Sequence, residues 1–263
     1  MRKFLQSTAV SIALVASSAV GAAAAPVDTL LSLVIDASGS IDNTEFDLQR
    51  QGYVDAFSDS TVRDFILDTD GGNRNGAVAV NVVQFATNAT ESLGFSVLDS
   101  VGDLDTFTSA LSTLSRAGGI GNRTDIQDGI TLATTRITDW LNTAGNSSDS
   151  VVIDVSGDGE QNEPGDPATA SAAALVAGVD RVNGLAILDG DPGLFGYYNA
   201  NVAAGTDSFV ISAAGFGDFS DAVTRKVEFE VSGGMPVIPL PAPALLLIGG
   251  LGALATLRRK KAA

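Results

Sequence analysis

The interior of the chain switches repeatedly between two patterns of apolar and polar residues. Continuous apolar runs, such as Leu30–Ile35, are typical of strands buried on both faces. Apolar residues at a spacing of 3.6 positions instead predict an amphipathic helix, because they would share one helical face. The residues with this spacing are Ile126, Ile130, Ala133, Ile137 and Leu141. The pattern therefore predicts strands that alternate with helices.

Further elements follow from the same two patterns. The other predicted strands are Gly76–Phe85, Glu91–Leu98 at a sheet edge, Ser150–Val155, Val182–Leu188 and Ser208–Ser212. The other predicted helices follow the capping-box pair Asp42 and Glu45, cover about Pro167–Ala177, and run from about Asp218 to Phe229. This alternation implies an α/β fold with a doubly wound, mostly parallel sheet and helices on both faces. Such sheets bind ligands beyond the carboxyl ends of their strands.

Both ends of the chain have the composition of targeting segments. Residues 1–25 combine a basic start, an apolar middle and small final residues, which predicts a secretory signal peptide rather than an uncleaved anchor. Residues 240–257 carry no charge, and a helix of this length spans about 27 Å, close to the thickness of a bilayer core. The basic residues of the tail, 258–263, favour a cytoplasmic position and leave the preceding domain outside. We therefore expect a domain at 26–231 and a linker at 232–239.

Composition restricts the chemistry that is available. The net charge is −16, but residues 26–257 carry nine basic and 31 acidic side chains, a net of −22. Such a surface repels nucleic acid, so we expect no nucleic-acid partner. The chain has no Cys and no His, which excludes disulfides, zinc fingers and His-based catalytic triads. Any metal site must use oxygen ligands, which favours Mg²⁺, Ca²⁺ or Mn²⁺.

Oxygen ligands occur where the first strand ends, in the stretch DASGSID at residues 36–42. Asp36, Ser38 and Ser40 alternate, so in an extended turn their oxygens point to one side. One carboxylate and two hydroxyls supply half of an octahedral shell. The same residue types also cap helices and form turns, so the motif alone is weak.

Two later loops can complete the shell at the same sheet edge. The Gly-rich loop of residues 118–123 leads to Thr124, at the start of the amphipathic helix. Beyond the strand Ser150–Val155, Asp158 stands between two glycines, whereas Asp154 lies inside the apolar run. Either aspartate could be the ligand; we favour Asp158, because an unpaired carboxylate inside a strand is unfavourable.

In this order, Asp-x-Ser-x-Ser, a Thr after a Gly-rich loop and a later Asp resemble the metal-ion-dependent adhesion site of von Willebrand factor A-type domains. The resemblance covers roughly residues 29–231. It implies that Ser38, Ser40 and Thr124 would ligate a divalent cation, most simply Mg²⁺, through their hydroxyls. It further implies that Asp36 and Asp158 would act largely through waters. A carboxylate of a bound partner would complete the shell.

The phrases EFDLQRQGYVDAF, VVIDVSGDGEQN and YYNANVAAGTDSFV are similar to one secreted bacterial branch of this family, to which no function is assigned. The resemblance therefore predicts the fold more firmly than any activity. One departure is that the usual strand continues directly into Thr-Asp-Gly, whereas this chain has Asp154-Val-Ser-Gly-Asp158-Gly.

The C-terminal region resembles the sorting signals that exosortase-type membrane proteases process in Gram-negative bacteria. Its motif is close to Val-Pro-Leu-Pro-Ala and consists of Ile238, Pro239, Leu240, Pro241 and Ala242. The resemblance implies a temporary membrane anchor and a final location on the cell surface or in the extracellular matrix. The alternative is a permanent single-span anchor.

These features favour a binding module over an enzyme. We expect an exported domain whose divalent cation engages an acidic group on a protein or polysaccharide, in adhesion or matrix assembly. A metal-stabilised structural surface protein is the alternative. A metal-assisted hydrolase is a weaker one, because without His its base would have to be a carboxylate such as Asp125, Asp128 or Glu160. Asp128 is more simply a solvated helix residue.

Two other stretches have a simple structural explanation. Residues 67–76, LDTDGGNRNG, faintly resemble a calcium loop but lack the closing Glu, so an ordinary turn is expected. Tyr197 and Tyr198 either line a binding rim or pack the start of a helix, and packing is favoured.

Overall fold

The computed structural model describes residues 25–232, which form one sheet with helices on both faces. The strands are β1 (Pro26–Asp36), β2 (Val78–Phe85), β3 (Ala89–Leu98), β4 (Ser147–Gly157), β5 (Arg181–Ile187), β6 (Ala204–Gly205) and β7 (Val210–Ala213). The helices are α1 (Asn43–Ser58), α2 (Ser60–Leu67), α3 (Val101–Ser112), α4 (Ile126–Leu141), α5 (Pro167–Val176), α6 (Leu194–Asn201) and α7 (Phe219–Ser232). Short 3₁₀ helices lie at Asp70–Gly72 and Phe216–Asp218.

The strands follow the order β3-β2-β1-β4-β5-β6, and β7 also pairs with β5. The pairs β1–β2, β1–β4, β4–β5 and β5–β7 are parallel, whereas β3 and β6 are antiparallel to their neighbours. The α/β prediction with a mostly parallel sheet is therefore confirmed. The β1–β4 pair is the place where the strand order reverses, so its carboxyl end is where an α/β sheet opens a binding crevice.

Both faces of the sheet are covered by apolar helix faces. On one face, alternate β1 residues such as Leu31 and Leu33 join a core with α1, α2, α3 and α7. On the other face, Leu30 and Val34 join a core with α4, α5 and α6. The continuous apolar run of β1 follows from this double burial, since both of its faces are covered.

Local signals for helix starts agree with the structure in α1 and α4. Asp42 and Glu45 form the reciprocal capping box at the start of α1. The predicted apolar stripe of α4 is buried at Ile126, Ile130, Ala133 and Ile137. These contacts fix the directions in which α1 leaves β1 and α4 leaves the Gly-rich loop.

Some elements differ from the sequence predictions. Helices α2 and α3 were not predicted, although Ser100 caps α3 and its buried residues Leu104, Phe107 and Leu111 have helical spacing. Strand β2 begins at Val78 rather than Gly76, because Gly76 has a φ of +65° and its N–H, like that of Asn75, donates to the Asp28 carboxylate. This turn interrupts the strand geometry at the predicted boundary.

Residues 67–76 form a turn that includes the short 3₁₀ helix. Arg74 lies 3.4 Å from an Asp28 carboxylate oxygen and 3.8 Å from one of Asp68, so these two acids have a protein cation as a partner.

The predicted targeting segments fall almost entirely outside the described residues. These are residues 1–24 of the signal peptide, residues 233–239 of the linker, the sorting motif, the membrane helix 240–257 and the tail. Within residues 25–232, no helix combines the length and the apolar character needed to cross a membrane.

Candidate metal centre

Three loops meet at the carboxyl edge of β1 and β4. The parallel register pairs Ile35 with Ser156, so the DASGS turn and the Gly157–Asp158 turn leave the sheet side by side. The Gly-rich loop joins them because the Gly39 N–H donates to the Asn122 carbonyl at 2.7 Å. Sheet register and one loop–loop hydrogen bond thus bring together segments that are distant in sequence.

The first and third loops are in direct side-chain contact. The Ser40 hydroxyl donates to Asp158 Oδ1 at 2.7 Å. Ser38 Oγ lies 3.1 Å from Ser40 Oγ, and the Ser38 N–H donates to Asp36 Oδ1 at 2.7 Å. Four of the five predicted ligand residues, Asp36, Ser38, Ser40 and Asp158, are therefore linked by hydrogen-bond contacts.

Thr124, the fifth predicted ligand, faces the same edge. It is buried, and its N–H donates to Asn162 Oδ1 at 2.8 Å. A methyl group at Gly159 would lie 3.6 Å from Thr124 Oγ1, so the threonine hydroxyl points towards the loop that carries Asp158. The structure thus places all five residues at one edge of the sheet.

The Gly-rich loop is held by the end of β2. Thr87 Oγ1 accepts hydrogen bonds from the N–H groups of Asn122 and Arg123 at 3.2 and 3.0 Å. Gly121 has a φ of +88°, a conformation that favours glycine, and a Cβ there would collide with Thr87. This turn presents Thr124 at the start of α4.

The electrostatics of the cluster indicate a shortage of positive charge. Burial, and after it repulsion from Asp158, raises the pKa of Asp36 from its ordinary 3.8 to about 7. Burial also raises the pKa of Asp158, although the hydrogen bond from Ser40 opposes the shift. Asp36 Oδ2 is buried and has no hydrogen-bond partner among the described residues. A cation beside these carboxylates would favour their ionised forms.

Two polar side chains that were not predicted support the DASGS turn. The Arg116 guanidinium donates to the Ala37 carbonyl at 3.0 and 2.8 Å and also contacts the Ser38 carbonyl. Gln49 Nε2 donates to the Asp36 carbonyl at 3.3 Å. Neither residue carries a motif, so only the folded chain identifies them.

Asp154 lies apart from the three loops. It is fully buried in β4, and one carboxylate oxygen contacts Lys226 Nζ in α7. The cost of an unpaired carboxylate inside the strand, which favoured Asp158 as the ligand, does not arise for Asp154, because Lys226 is its partner. Of the two aspartates considered as ligands, only Asp158 is at the loop edge.

The carboxylates considered as catalytic bases have other contacts or are exposed. Asp125 caps α4, and its Oδ1 accepts from the Asp128 N–H at 3.0 Å and from Gln161 Nε2 at 2.8 Å. Asp128 Oδ2 accepts from the Ala89 N–H at 2.6 Å, so Asp128 is not the solvated helix residue that was expected. Glu160 is exposed.

The five residues fit a hard divalent cation better than a soft one. They supply two carboxylates and three hydroxyls, and Asp36 Oδ2 is a buried acceptor that no donor of the described residues reaches. Within residues 25–232, no group of three or more His, Cys, Asp or Glu side chains could hold a metal. Hydroxyls would therefore have to supply most of the protein ligands.

A shallow cleft of about 470 Å³ lies between the DASGS turn and the Gly-rich loop. Its walls are formed by Ala37, Gly39, Arg116 and the Gly-rich loop from Ala117 to Asn122. The alanines and glycines among these residues leave room for a bulky group next to the DASGS turn.

Comparisons with known proteins agree with this architecture. A family described as "Protein of unknown function (DUF1194)" matches residues 26–235. No match was found among curated protein sequences. Proximal thread matrix protein 1 from the mussel byssus is similar, with a TM-score of 0.54 and 14% identity over 78% of this chain and 48% of that one. A second structure of that protein, described as having a zinc-occupied MIDAS motif, has a TM-score of 0.50 and 19% identity over 78% of this chain and 46% of that one.

Two bacterial structures are also similar. The pilus adhesin SpaC from Lactobacillus rhamnosus GG has a TM-score of 0.54 and 14% identity over 78% of this chain and 30% of that one. A von Willebrand factor type A structure from Catenulispora acidiphila has a TM-score of 0.50 and 15% identity over 79% of this chain and 43% of that one. The match thus spans less than half of each of these four structures, and the low identities establish the fold alone. The chain belongs to the DUF1194 family and has a von Willebrand factor A-type fold.

Proposed function

We propose that this protein is an exported, surface-directed binding module that uses a divalent cation to engage an acidic group on a protein or polysaccharide. The observation that carries the proposal is the convergence of Asp36, Ser38, Ser40, Thr124 and Asp158 from three loops at one sheet edge. Mg²⁺ is the favoured ion, with Mn²⁺ and Ca²⁺ as alternatives.

The donor set explains why such a cation would recruit a partner. The three hydroxyls of Ser38, Ser40 and Thr124 are neutral, so they leave most of the ion's charge uncompensated. Asp36 and Asp158 neutralise the charge only in part if they act through waters. The bound ion would therefore attract an anionic oxygen from outside the protein, and a carboxylate is the simplest such ligand.

The cleft supports a partner larger than a single carboxylate. It lies next to the DASGS turn and is lined by Ala37, Arg116 and the Gly-rich loop. A group attached to the bound carboxylate would enter this space. Two structures with the same fold are described as a pilus adhesin and a thread matrix protein, which is consistent with a role in adhesion or matrix assembly.

Delivery to the surface rests on the two ends of the chain. We propose that residues 1–25 direct export and that the helix 240–257 is a transient anchor, processed at Ile238–Ala242 by an exosortase-type protease. Pulse-chase labelling with tags at each end is the corresponding test. Loss of the C-terminal tag, dependent on Pro239 and Pro241, is expected; its retention would indicate a permanent anchor.

The cation site is tested by unfolding the full chain, purified in a mild detergent, with Mg²⁺, Mn²⁺, Ca²⁺ or excess chelator. We expect a saturating cation to raise the midpoint, since about 100-fold excess over the Kd stabilises by about 2.7 kcal/mol. Asp36→Ala should lose this rise. Asp70→Asn, which changes an exposed acid in a distant turn, should keep it. No rise with any cation in the wild-type chain would contradict the proposal.

Partner binding is tested separately on surfaces coated with a polyuronate, an acidic peptide or neutral dextran. Retention on the acidic surfaces that chelator abolishes is expected. Cation stabilisation without retention on either acidic surface would favour the alternative, a metal-stabilised structural protein. Release of shortened polyuronate fragments would instead favour a hydrolase.

A further inference from the structure

Two buried oxygen atoms beside the candidate metal centre face the same small space. One is Oδ2 of Asp36 and the other is the hydroxyl of Tyr198 in α6; both residues are 0% exposed. Neither atom has a hydrogen-bond partner among residues 25–232. The other Asp36 oxygen, Oδ1, already accepts from the Ser38 N–H. A donor and an acceptor therefore lie close together, each without a hydrogen bond to this part of the chain.

Gly157 at the end of β4 makes the shared space possible. A methyl group at this position would lie 2.6 Å from the Tyr198 hydroxyl oxygen and 2.7 Å from Asp36 Oδ2. Both separations are shorter than real contacts of a Cβ atom, so any larger residue would force at least one of the two groups away. The glycine thus leaves a gap between β1, β4 and α6 into which both oxygens point.

A second glycine fixes the tyrosine ring. A methyl group at Gly184 in β5 would lie 2.9 Å from Tyr198 Cδ1, so the ring lies directly against this strand. Gly184 pairs with Val155, and Gly157 pairs with Ala186, so the two glycines occupy nearby positions on adjacent strands. They form a slot for the ring, and the hydroxyl at its end is directed towards Asp36.

We propose that Tyr198 is a positioning residue of the metal centre, whose hydroxyl donates a hydrogen bond to Asp36 Oδ2 through one water in the gap left by Gly157. This inference rests on the proposed cation site. The hydrogen bond orients the Asp36 carboxylate and stabilises its charge in a buried environment, as outer partners of metal-binding carboxylates do. Tyr198 therefore sets how tightly the cation is held, without touching the cation.

The test is the Mn²⁺ dissociation constant of the full chain in detergent, measured from the paramagnetic resonance signal of the free ion. Tyr198→Phe removes one oxygen and keeps the ring, and we expect it to weaken Mn²⁺ binding about ten- to hundredfold. Gly157→Ala should weaken binding as well, although the hydroxyl is retained, because the methyl group separates the two oxygens.

Tyr53→Phe is the matched control. Tyr53 is also fully buried, but it packs in the core on the opposite face of the sheet, and its hydroxyl lies 3.0 Å from Ser156 Oγ. We expect its Mn²⁺ affinity to equal that of the wild-type chain. A purely structural role for Tyr198 predicts that Tyr198→Phe also binds normally, since the packing surface of the ring is unchanged.

Each outcome decides between the two proposals. Wild-type affinity in Tyr198→Phe overturns the positioning role and leaves the cation site intact. Equal weakening in Tyr198→Phe and Tyr53→Phe also overturns it, because the effect would then be a general response to core substitution. Absence of Mn²⁺ binding in the wild-type chain overturns both proposals. Urea unfolding in chelator shows separately whether each variant is folded.

Discussion

At the scale of single residues, Ser40 connects the two aspartates of the candidate metal centre. Its hydroxyl donates to Asp158 and lies beside Ser38, whose own N–H binds Asp36. Ser40 is exposed, in contrast to the fully buried Asp36. Ser40 is therefore the candidate ligand at which an effect on cation binding can be separated most cleanly from an effect on folding.

We expect Ser40→Ala to lower the Mn²⁺ affinity at least tenfold, because the cation loses a hydroxyl and Asp158 loses its donor. The free energy of unfolding in chelator should change by no more than about 0.5 kcal/mol, as is usual for exposed positions. Ser40→Thr, which keeps a hydroxyl, should retain most of the affinity. A normal affinity in Ser40→Ala would remove this residue from the metal centre.

At the scale of elements, a buried charged cluster joins α7 to the middle of the sheet. Lys226 Nζ contacts Asp154 of β4 and lies 2.6 Å from Glu230 Oε1, which also accepts from Asn183 Nδ2 of β5 at 2.8 Å. These side chains are 0–1% exposed. One buried ammonium therefore faces two buried carboxyl groups, and only protonation of one carboxyl would balance the charges.

This cluster makes stability depend on pH. Burial, followed by repulsion from Glu230, raises the pKa of Asp154 to about 7, although Lys226 opposes the shift. The carboxyl group is thus protonated more readily in the folded chain than in the unfolded one, where its pKa is near the ordinary 3.8. Its contribution to stability is complete below about pH 4 and is lost as the pH rises through about 7.

We expect the free energy of unfolding in chelator to decline between pH 4.5 and 7.5 more steeply in the wild-type chain than in Asp154→Asn. The difference between the two pH profiles isolates the contribution of Asp154, because Asp36, whose pKa is also raised, is present in both chains. Urea unfolding at several pH values provides the measurement, with Asp70→Asn as a control for a lost exposed acid. Parallel pH profiles for wild type and Asp154→Asn would show that Asp154 stays ionised in the folded chain.

At the scale of the whole molecule, the candidate metal centre belongs to a strongly acidic chain. Residues 26–257 have a net charge of −22, and the proposed partners are acidic as well. The long-range interaction with such a partner would be repulsive, and attraction would arise only at short range through the proposed cation. Salt screens the long-range repulsion before it affects direct coordination at the metal centre.

We therefore expect retention of the chain on a polyuronate surface, at saturating Mg²⁺, to increase as NaCl is raised from about 10 to about 150 mM. The screening length falls over this range from about 30 to about 8 Å, which weakens the repulsion between the two polyanions. Chelator should abolish retention at every salt concentration. A steady decrease with salt would point to a basic patch as the contact instead of a bridging cation.

Much of the fold follows from the sequence because its signals are local. The apolar run of β1, the Asp42–Glu45 capping box and the apolar stripe of α4 each depend on residues that are close together in the sequence. Helix α3 carries comparable signals at Ser100 and Leu104–Leu111 that sequence reasoning could have used. The sequence by itself thus determined the alternating α/β pattern, the acidic, His-free chemistry and the order of five candidate ligand residues.

The tertiary structure decided which of these residues meet. Pairing of β1 with β4 sets Asp36 beside Gly157, and packing of α6 on β5 directs Tyr198 towards the same gap. Packing of α7 gives Asp154 the partner Lys226 inside the sheet, whereas Asp158 lies at the loop edge and accepts from Ser40. Strand order and helix docking bring together residues that are far apart along the chain, and no local pattern specifies such contacts.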